Sequence, residues 1–370
     1  MKKRMMTYRQ MKGMGSVLIP HCRYFLYFIF LAPLLTSCSM IDEDLSNCNT
    51  AALNYELTLV TNITTELKTQ LTTSTDIKLA SELRQHLSSI FTDYAHDVDL
   101  SFYDTQGDSL RLQHDEHFMD ANQASYALNL PMRHYMHLAT ANILDNELVT
   151  LYNDESCHRS QLQQTDHDTI ESHTTGLFTA RQPMEVLEGV NQNFDVHLYM
   201  ANCAAALVID PQGHDTEGIR VFSTGFATRF NICDSAYVYA AKPPIVRTSR
   251  VFDEEKYGGL AYCSVTFPSQ EPQEPQETRT VIETEEPFVA QPGENALWEF
   301  RVYIPQPNSE GTRAGESVTE TILRIKEPLR AGQLKIIKAR VGENGVILPE
   351  NPEVSTSVTL DWKQGLDIEG

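Results

Sequence analysis

The chain lacks any apolar run long enough to cross a bilayer as a helix. Its longest, Tyr24 to Leu35, is twelve residues broken by Pro33, against the roughly twenty that a spanning helix needs. The short motifs of common catalytic chemistry are also missing: there is no GxSxG, HExxH, P-loop or GxGxxG segment. Seven cysteines occur without a CxxC or His-pair spacing, which argues against a zinc cluster. Basic residues are scarce, 29 against 50 acidic ones, and a net charge of −21 disfavours nucleic acid and anionic lipid as partners. Tryptophan is limited to Trp298 and Trp362, each in phase with apolar neighbours and so expected in a core. The expectation is a protein with no catalytic residues, no metal and no cofactor.

What basic charge there is gathers at the start. Residues 1–37 contain six Lys and Arg and no acid, then the apolar run, then Leu35-Thr36-Ser37-Cys38. This reads as a lipoprotein signal peptide with its start at Met1, Met11 or Met14, cut before Cys38, whose thiol would carry the lipid. Several acyl chains together give stable membrane attachment where one alone binds marginally. The alternative is an ordinary signal peptide with an incidental cysteine. Loss of six positive charges takes the net charge from −21 to −27. Residues 38–48 form an acidic tether through Asp42-Glu43-Asp44. Of the cysteines beyond Cys38, five remain for an oxidising compartment, so at least one thiol stays unpaired. Cys48 and Cys157 fall in the same half of the chain and are the expected bridge there.

The body is mainly β with one amphipathic helix. Leu53, Tyr55, Leu57 and Leu59 alternate with polar residues as in a half-buried strand. Leu79, Leu83, Leu87, Ile90, Phe91 and Tyr94 then follow helical spacing behind Ser74, Thr75 and Asp76, predicting a helix of about five turns. The period returns to two at Val98/Leu100/Phe102 and Tyr126/Leu128/Leu130, and strands recur to Val354, Thr356, Val358, Leu360 and Trp362. Short strands separated by frequent turns indicate β-sandwiches, with residues 49–190 and 191–370 as two domains meeting near Gly189. Within the second, residues 269–295 hold Glu271-Pro272-Gln273-Glu274-Pro275, expected as a mobile acidic loop.

The opening of the mature chain, Cys38 followed by Asp44-Leu45-Ser46-Asn47-Cys48 and an alternating strand, resembles the fimbrillin-A-associated anchor family, the FimB-like lipoproteins of type V pili in Bacteroidota. The helix after the first strand, the Val98 to Tyr103 strand and the closing Ser357-Val358-Thr359-Leu360-Asp361-Trp362 extend the resemblance along nearly the whole mature chain. The acidic run behind Cys38 looks like a surface-export signal of such lipoproteins, or else a solvated tether. The resemblance implies two tandem transthyretin-like β-sandwich domains. It also implies a place at the base of a fimbrium, held in the outer membrane through Cys38 and bound to fimbrial shaft subunits; some relatives are minor or tip subunits instead. In this class a C-terminal strand of one subunit fills a groove that the next opens when cleavage after an arginine removes its first strand. Asn49 to Leu53 contains no arginine, and the candidate donor strand is Val354, Thr356, Val358, Leu360 and Trp362.

The competing reading is a cell-surface glycan-binding lipoprotein, which would share the lipid anchor and the sandwiches. Nine of twelve histidines lie between His86 and His173. The pairs His114/His117 and His134/His137 would share a metal on a helix, but on a strand i and i+3 face opposite ways, so solvated surface histidines are expected.

Overall fold

A computed structural model of the chain describes residues 50–60, 77–92, 94–106, 110–119, 125–188, 192–252, 259–272, 296–305, 318–351 and 354–361. In chain order the first half contains β1 (Thr50–Val60), α1 (Ile77–Ile90), β2 (Asp97–Asp104), β3 (Arg111–Met119), β4 (Ser125–Pro131), β5 (His134–Ala141), β6 (Val149–Tyr152), β7 (Gln161–Gln164), β8 (Thr169–Glu171), β9 (Phe178–Glu185) and β10 (Gln192–Met200). The second half adds β11 (Cys203–Asp210), β12 (Arg220–Thr224), β13 (Arg229–Asn231), β14 (Ala236–Val238), β15 (Ile245–Arg247), β16 (Ser249–Phe252), β17 (Leu260–Thr266), β18 (Trp298–Pro305), β19 (Val318–Ile325), β20 (Leu334–Val341), β21 (Ile347–Pro349) and β22 (Val354–Asp361). The fold is all-β with one α-helix among the described residues, and no helix there is long and apolar enough to cross a membrane.

Seven strands hydrogen-bond in the order β3-β2-β5-β9-β10-β1-β4. Strands β5 and β1 stand three places apart, about 14 Å in a flat sheet. Yet Tyr55 Oη of β1 donates a 2.7 Å hydrogen bond to His137 Nε2 of β5. The sheet therefore folds over between β9 and β10, which share a ladder only at Tyr199↔Thr179 and Met200↔Phe178. One layer is β3-β2-β5-β9 and the other β10-β1-β4, with Leu53, Tyr55, Leu57, Phe102, Tyr135 and Val196 buried between them.

A second sandwich pairs the sheet β16-β17-β11-β20-β21 with β22-β19-β18-β12-β15-β8. Trp298, Phe300, Leu323, Leu207 and Ile337 fill its core. The opposite side chains of β11 and β17, including Ala204, Ala206, Cys263 and Val265, join the first core together with Leu83, Leu87 and Phe91 of the α1 segment. Strand β17 is accordingly buried at every position, as expected for a strand covered on both faces. A four-stranded sheet, β14-β13-β7-β6, closes a third cluster around Cys157, Leu162, Phe230 and Phe267.

Several expectations need correcting. The boundary at 190/191 cuts through a hairpin: β10 runs parallel to β1 and buries Val196, Leu198 and Met200 in the first core. Strands from both halves also share sheets, β7 with β13 and β8 with β15. Residues 189–191, where the boundary was expected, lie outside the described residues. Helix α1 has 14 residues, about four turns, and Tyr94 lies beyond it, 50% exposed. Its expected cap at Ser74 to Asp76 lies outside the described residues. At the start of the expected mobile loop Ser269 is buried: its N–H donates to Leu329 O, and Leu329 N–H donates to its Oγ. Glu271 holds Arg330 through two hydrogen bonds of 2.7 and 2.9 Å. Residues 273–295 lie outside the described part.

The histidines divide. His114, His117, His134 and His158 pair with surface carboxylates, as a β assignment anticipates. His137 and His173 are instead fully buried, contrary to the expectation of solvated histidines. His137 donates from Nδ1 to Ser101 O and accepts from Tyr55 at Nε2, a pattern that only one neutral tautomer satisfies. Burial pushes its pKa down to about 4 and that of His173 down to about 3. Both folded-state values lie below the unfolded value near 6.5, so the unfolded chain binds more protons and stability is lost as pH falls through 6.5. For His137 the loss between pH 6.5 and 4 is about 3 kcal/mol. Thermal unfolding is expected at clearly lower Tm at pH 5 than at pH 7.5. His137→Gln should be less stable at pH 7.5 and flatten that dependence; an unchanged slope would mean that His137 does not titrate on unfolding.

Candidate functional site

The residues singled out from the sequence lie at the two ends of the folded chain and in its disulfide. Cys38, Cys48 and Trp362 fall outside the described residues. Twelve positions after Cys38 the chain enters β1, whose Thr50–Glu56 segment pairs antiparallel with β4 and whose Leu53–Val60 segment pairs parallel with β10. Inward Leu53, Tyr55 and Leu57 are buried, and outward Asn54, Glu56 and Thr58 are exposed. The first strand thus occupies the middle of its own layer.

The C-terminal strand sits differently. β22 pairs antiparallel with β19 from Val318↔Asp361 to Ile325↔Val354 and is the edge strand of the six-stranded sheet. Val354 is buried at 7% exposure, but Thr356, which shares its face by alternation, is exposed. The uniform inward face expected along Val354, Thr356, Val358, Leu360 and Trp362 is therefore broken at its second member. An edge strand has a neighbour on one side only, which leaves this position uncovered.

The expected Cys48–Cys157 bridge is replaced. Cys157 is bonded to Cys233, with a Cα–Cα separation of 5.6 Å. The reason is topological: β7, just after Cys157, pairs with β13, just before Cys233, so the hairpin turn carrying Cys233 returns to the start of β7. Sequence proximity favoured a partner in the same half, whereas the shared sheet brings one from the other half. Cys203 and Cys263 are free and buried, with their side chains in different cores, so they cannot pair without breaking the sheet. Burial raises both thiols far above their ordinary range, Cys263 to about 12, which keeps them protonated and unreactive.

Two open clefts border the four-stranded sheet. One, of about 360 Å³, is lined by polar side chains including Asp166, His167, Arg229 and Lys242, with Lys242 Nζ 2.9 Å from Asp168 Oδ1. The other, of about 420 Å³, lies where β9 and β10 diverge, against the β13–β14 hairpin, and Tyr199 lines it at 59% exposure. Neither was identified from the sequence, although Tyr199 alternates in phase with exposed Asp195 and His197. His158, Cys233 and Asp234 lie together, but the Cys233 sulfur is committed to the disulfide, which leaves two side chains of the three to offer a metal ligand.

No protein-family model matches the chain, and no curated protein matches it. Solved structures similar to it include the fimbrial anchor protein Mfa2 from Porphyromonas gingivalis, at 9% identity and TM-score 0.43, covering 85% of this chain and 100% of that one. A fimbrial assembly protein from Parabacteroides distasonis matches at 12% identity and TM-score 0.37, over 85% and 99% of the two chains. A candidate adhesin from Bacteroides ovatus matches at 10% identity and TM-score 0.47, over 89% and 100%. The neighbours thus include proteins of the kind that the Asp44 to Cys48 motif resembles.

The thiol chemistry is directly measurable. Unreduced protein digested and mapped by mass spectrometry should yield a Cys157–Cys233 linked peptide. Iodoacetamide should leave Cys203 and Cys263 unmodified in the folded protein and label both after denaturation; labelling of either in native buffer would contradict their burial.

Proposed function

We propose that the chain is a lipid-tethered surface protein that takes no part in catalysis and attaches a fimbrium to the outer membrane, ending its growth. The observation that carries this reading is the seating of β1, laddered on both sides within its own layer. In the pilus class that the sequence resembles, a subunit becomes able to accept a neighbour's strand by losing its first strand. A chain that retains β1 has no vacant position there and so terminates the series.

Further support comes from the length of the tether. From Cys38 to Thr50 is twelve residues, at most about 40 Å when extended, so lipid on Cys38 would hold the first sandwich close to the membrane. Attachment to the shaft would use the other end. β22 is bonded to a single neighbour, and its release would free one ladder without dividing a sheet. Added to a groove in a shaft subunit, it would contribute backbone hydrogen bonds and apolar burial, the general mode of strand addition. In this reading the β19 pairing holds the strand until a shaft subunit takes it over.

Two variants separate these steps. Cys38→Ala should move the protein from the membrane fraction to the soluble fraction; retention after carbonate washing would refute the tether. For donation, Arg324 and Ser355 face each other across β19 and β22, a separation within disulfide reach. The pair Arg324→Cys with Ser355→Cys should lock β22 in place and leave cells with detached fimbriae, while each single substitution keeps them anchored. Normal attachment by the cross-linked, membrane-located protein would rule out donation of β22.

A further inference from the structure

The cleft at the β9–β10 divergence differs in charge from the rest of the molecule. On a chain with 50 acidic residues and a net charge of −21, no Asp or Glu lines it, whereas Arg181 and His197 do. Arg181 is exposed, and no carboxylate pairs with it among the described residues. The nearest acid in sequence to the cleft's turn, Asp234, is held by His158 at 2.9 Å.

Its surface is also chemically divided. Met200, Phe230 and Ile232 form the floor but are buried at 6%, 7% and 1% exposure, so they offer little apolar area to a ligand. What faces outward is the Tyr199 ring, the Arg181 guanidinium, the His197 ring nitrogens, the Ser235 hydroxyl and part of Gln182. One exposed ring beside several hydrogen-bonding groups suits a molecule whose own faces alternate between C–H and hydroxyl, which is the surface of a sugar ring. An apolar peptide side chain would require a deeper apolar pocket than this floor provides.

The walls are fixed. The Tyr237 ring packs tilted against Phe230, with centroids 4.5 Å apart, and its hydroxyl donates to Ala201 O at 2.8 Å. The turn bearing Ser235 is tied down by the Cys157–Cys233 bridge, and Ser235 itself has φ +51°, a left-handed conformation uncommon for a residue with a side chain. A turn held this way presents the hydroxyl at a set position.

We propose that this cleft binds a saccharide carrying a carboxylate, with Tyr199 under the sugar ring, Arg181 paired to the carboxylate, and Ser235 and Gln182 bonded to hydroxyls. A planar guanidinium matches a carboxylate through two parallel hydrogen bonds, so charge and shape are recognised together. The site is independent of the tether and of β22, and would give an anchoring protein contact with acidic surface or host polysaccharide.

The test uses the purified full chain and isothermal titration calorimetry with 3′-sialyllactose and a galacturonate oligosaccharide, with lactose as the uncharged comparator. At least one acidic sugar should bind more tightly than lactose. Arg181→Gln should weaken that binding about tenfold, as loss of a charge-assisted pair implies, and bring it to the lactose level. Tyr199→Ala should weaken charged and uncharged sugars alike. Both side chains are exposed, so an unchanged melting temperature is expected for each variant. Equal or absent binding of acidic and neutral sugars would overturn the proposal. So would acidic-sugar binding that both substitutions leave intact, or binding confined to an acidic peptide run as a control.

Discussion

Much of the molecule depends on the pairing of β1 with strands on both of its edges. Among the described residues it is the one strand joining β4 to the rest of its sheet, and through Tyr55 it also joins the two layers of the first sandwich. Burying Leu53, Tyr55 and Leu57 contributes about 1.5–3 kcal/mol each, and the ladder hydrogen bonds about 1 kcal/mol apiece. That sum is comparable with the 5–15 kcal/mol by which whole domains are stable. A chain stripped of β1 would need another strand in its place, so retaining or losing this one segment separates a closed subunit from an open one.

The Tyr55–His137 hydrogen bond adds specificity to that seating. A buried imidazole with one nitrogen bonded to Ser101 O requires a donor at the other, and Tyr55 supplies it only when β1 is in register. A slip of one residue would turn Tyr55 to the outer face and leave His137 unsatisfied in a low-dielectric core. The same imidazole stacks on Phe102, with ring centroids 4.3 Å apart, so register, packing and proton state are coupled at a single point. In the second sandwich β22 is laddered to β19 alone. This contrast between a locked first strand and an edge-bound last strand underlies the proposed division of labour between the ends of the chain.

Local patterns were readable where a strand has one wet face. Leu53, Tyr55 and Leu57 alternate cleanly because β1 is buried on one side only, and Leu83 and Leu87 show the helical period for the same reason. Signals failed where burial or pairing is non-local. β11 shows no polar alternation, because it is covered on both faces and its Ala and Leu run continues the apolar character of β10. The Cys157–Cys233 bridge spans 76 positions and follows from the β7–β13 ladder, which no spacing rule reveals. His137 and His173 looked like surface residues because a histidine's neighbours in sequence do not report the polar partner across the core. The divergence of β9 from β10 is likewise non-local, since it depends on how two strands separate in space and not on the pattern of either one.

The central claim, that this chain keeps its own first strand and thereby closes itself, is tested most directly by the N-terminal peptide of the protein recovered from intact fimbriated cells. Mass spectrometry should find the chain beginning at a lipidated Cys38, with Thr50 to Val60 still covalently attached. Recovery of a fimbria-associated chain that begins beyond Val60 would contradict the account.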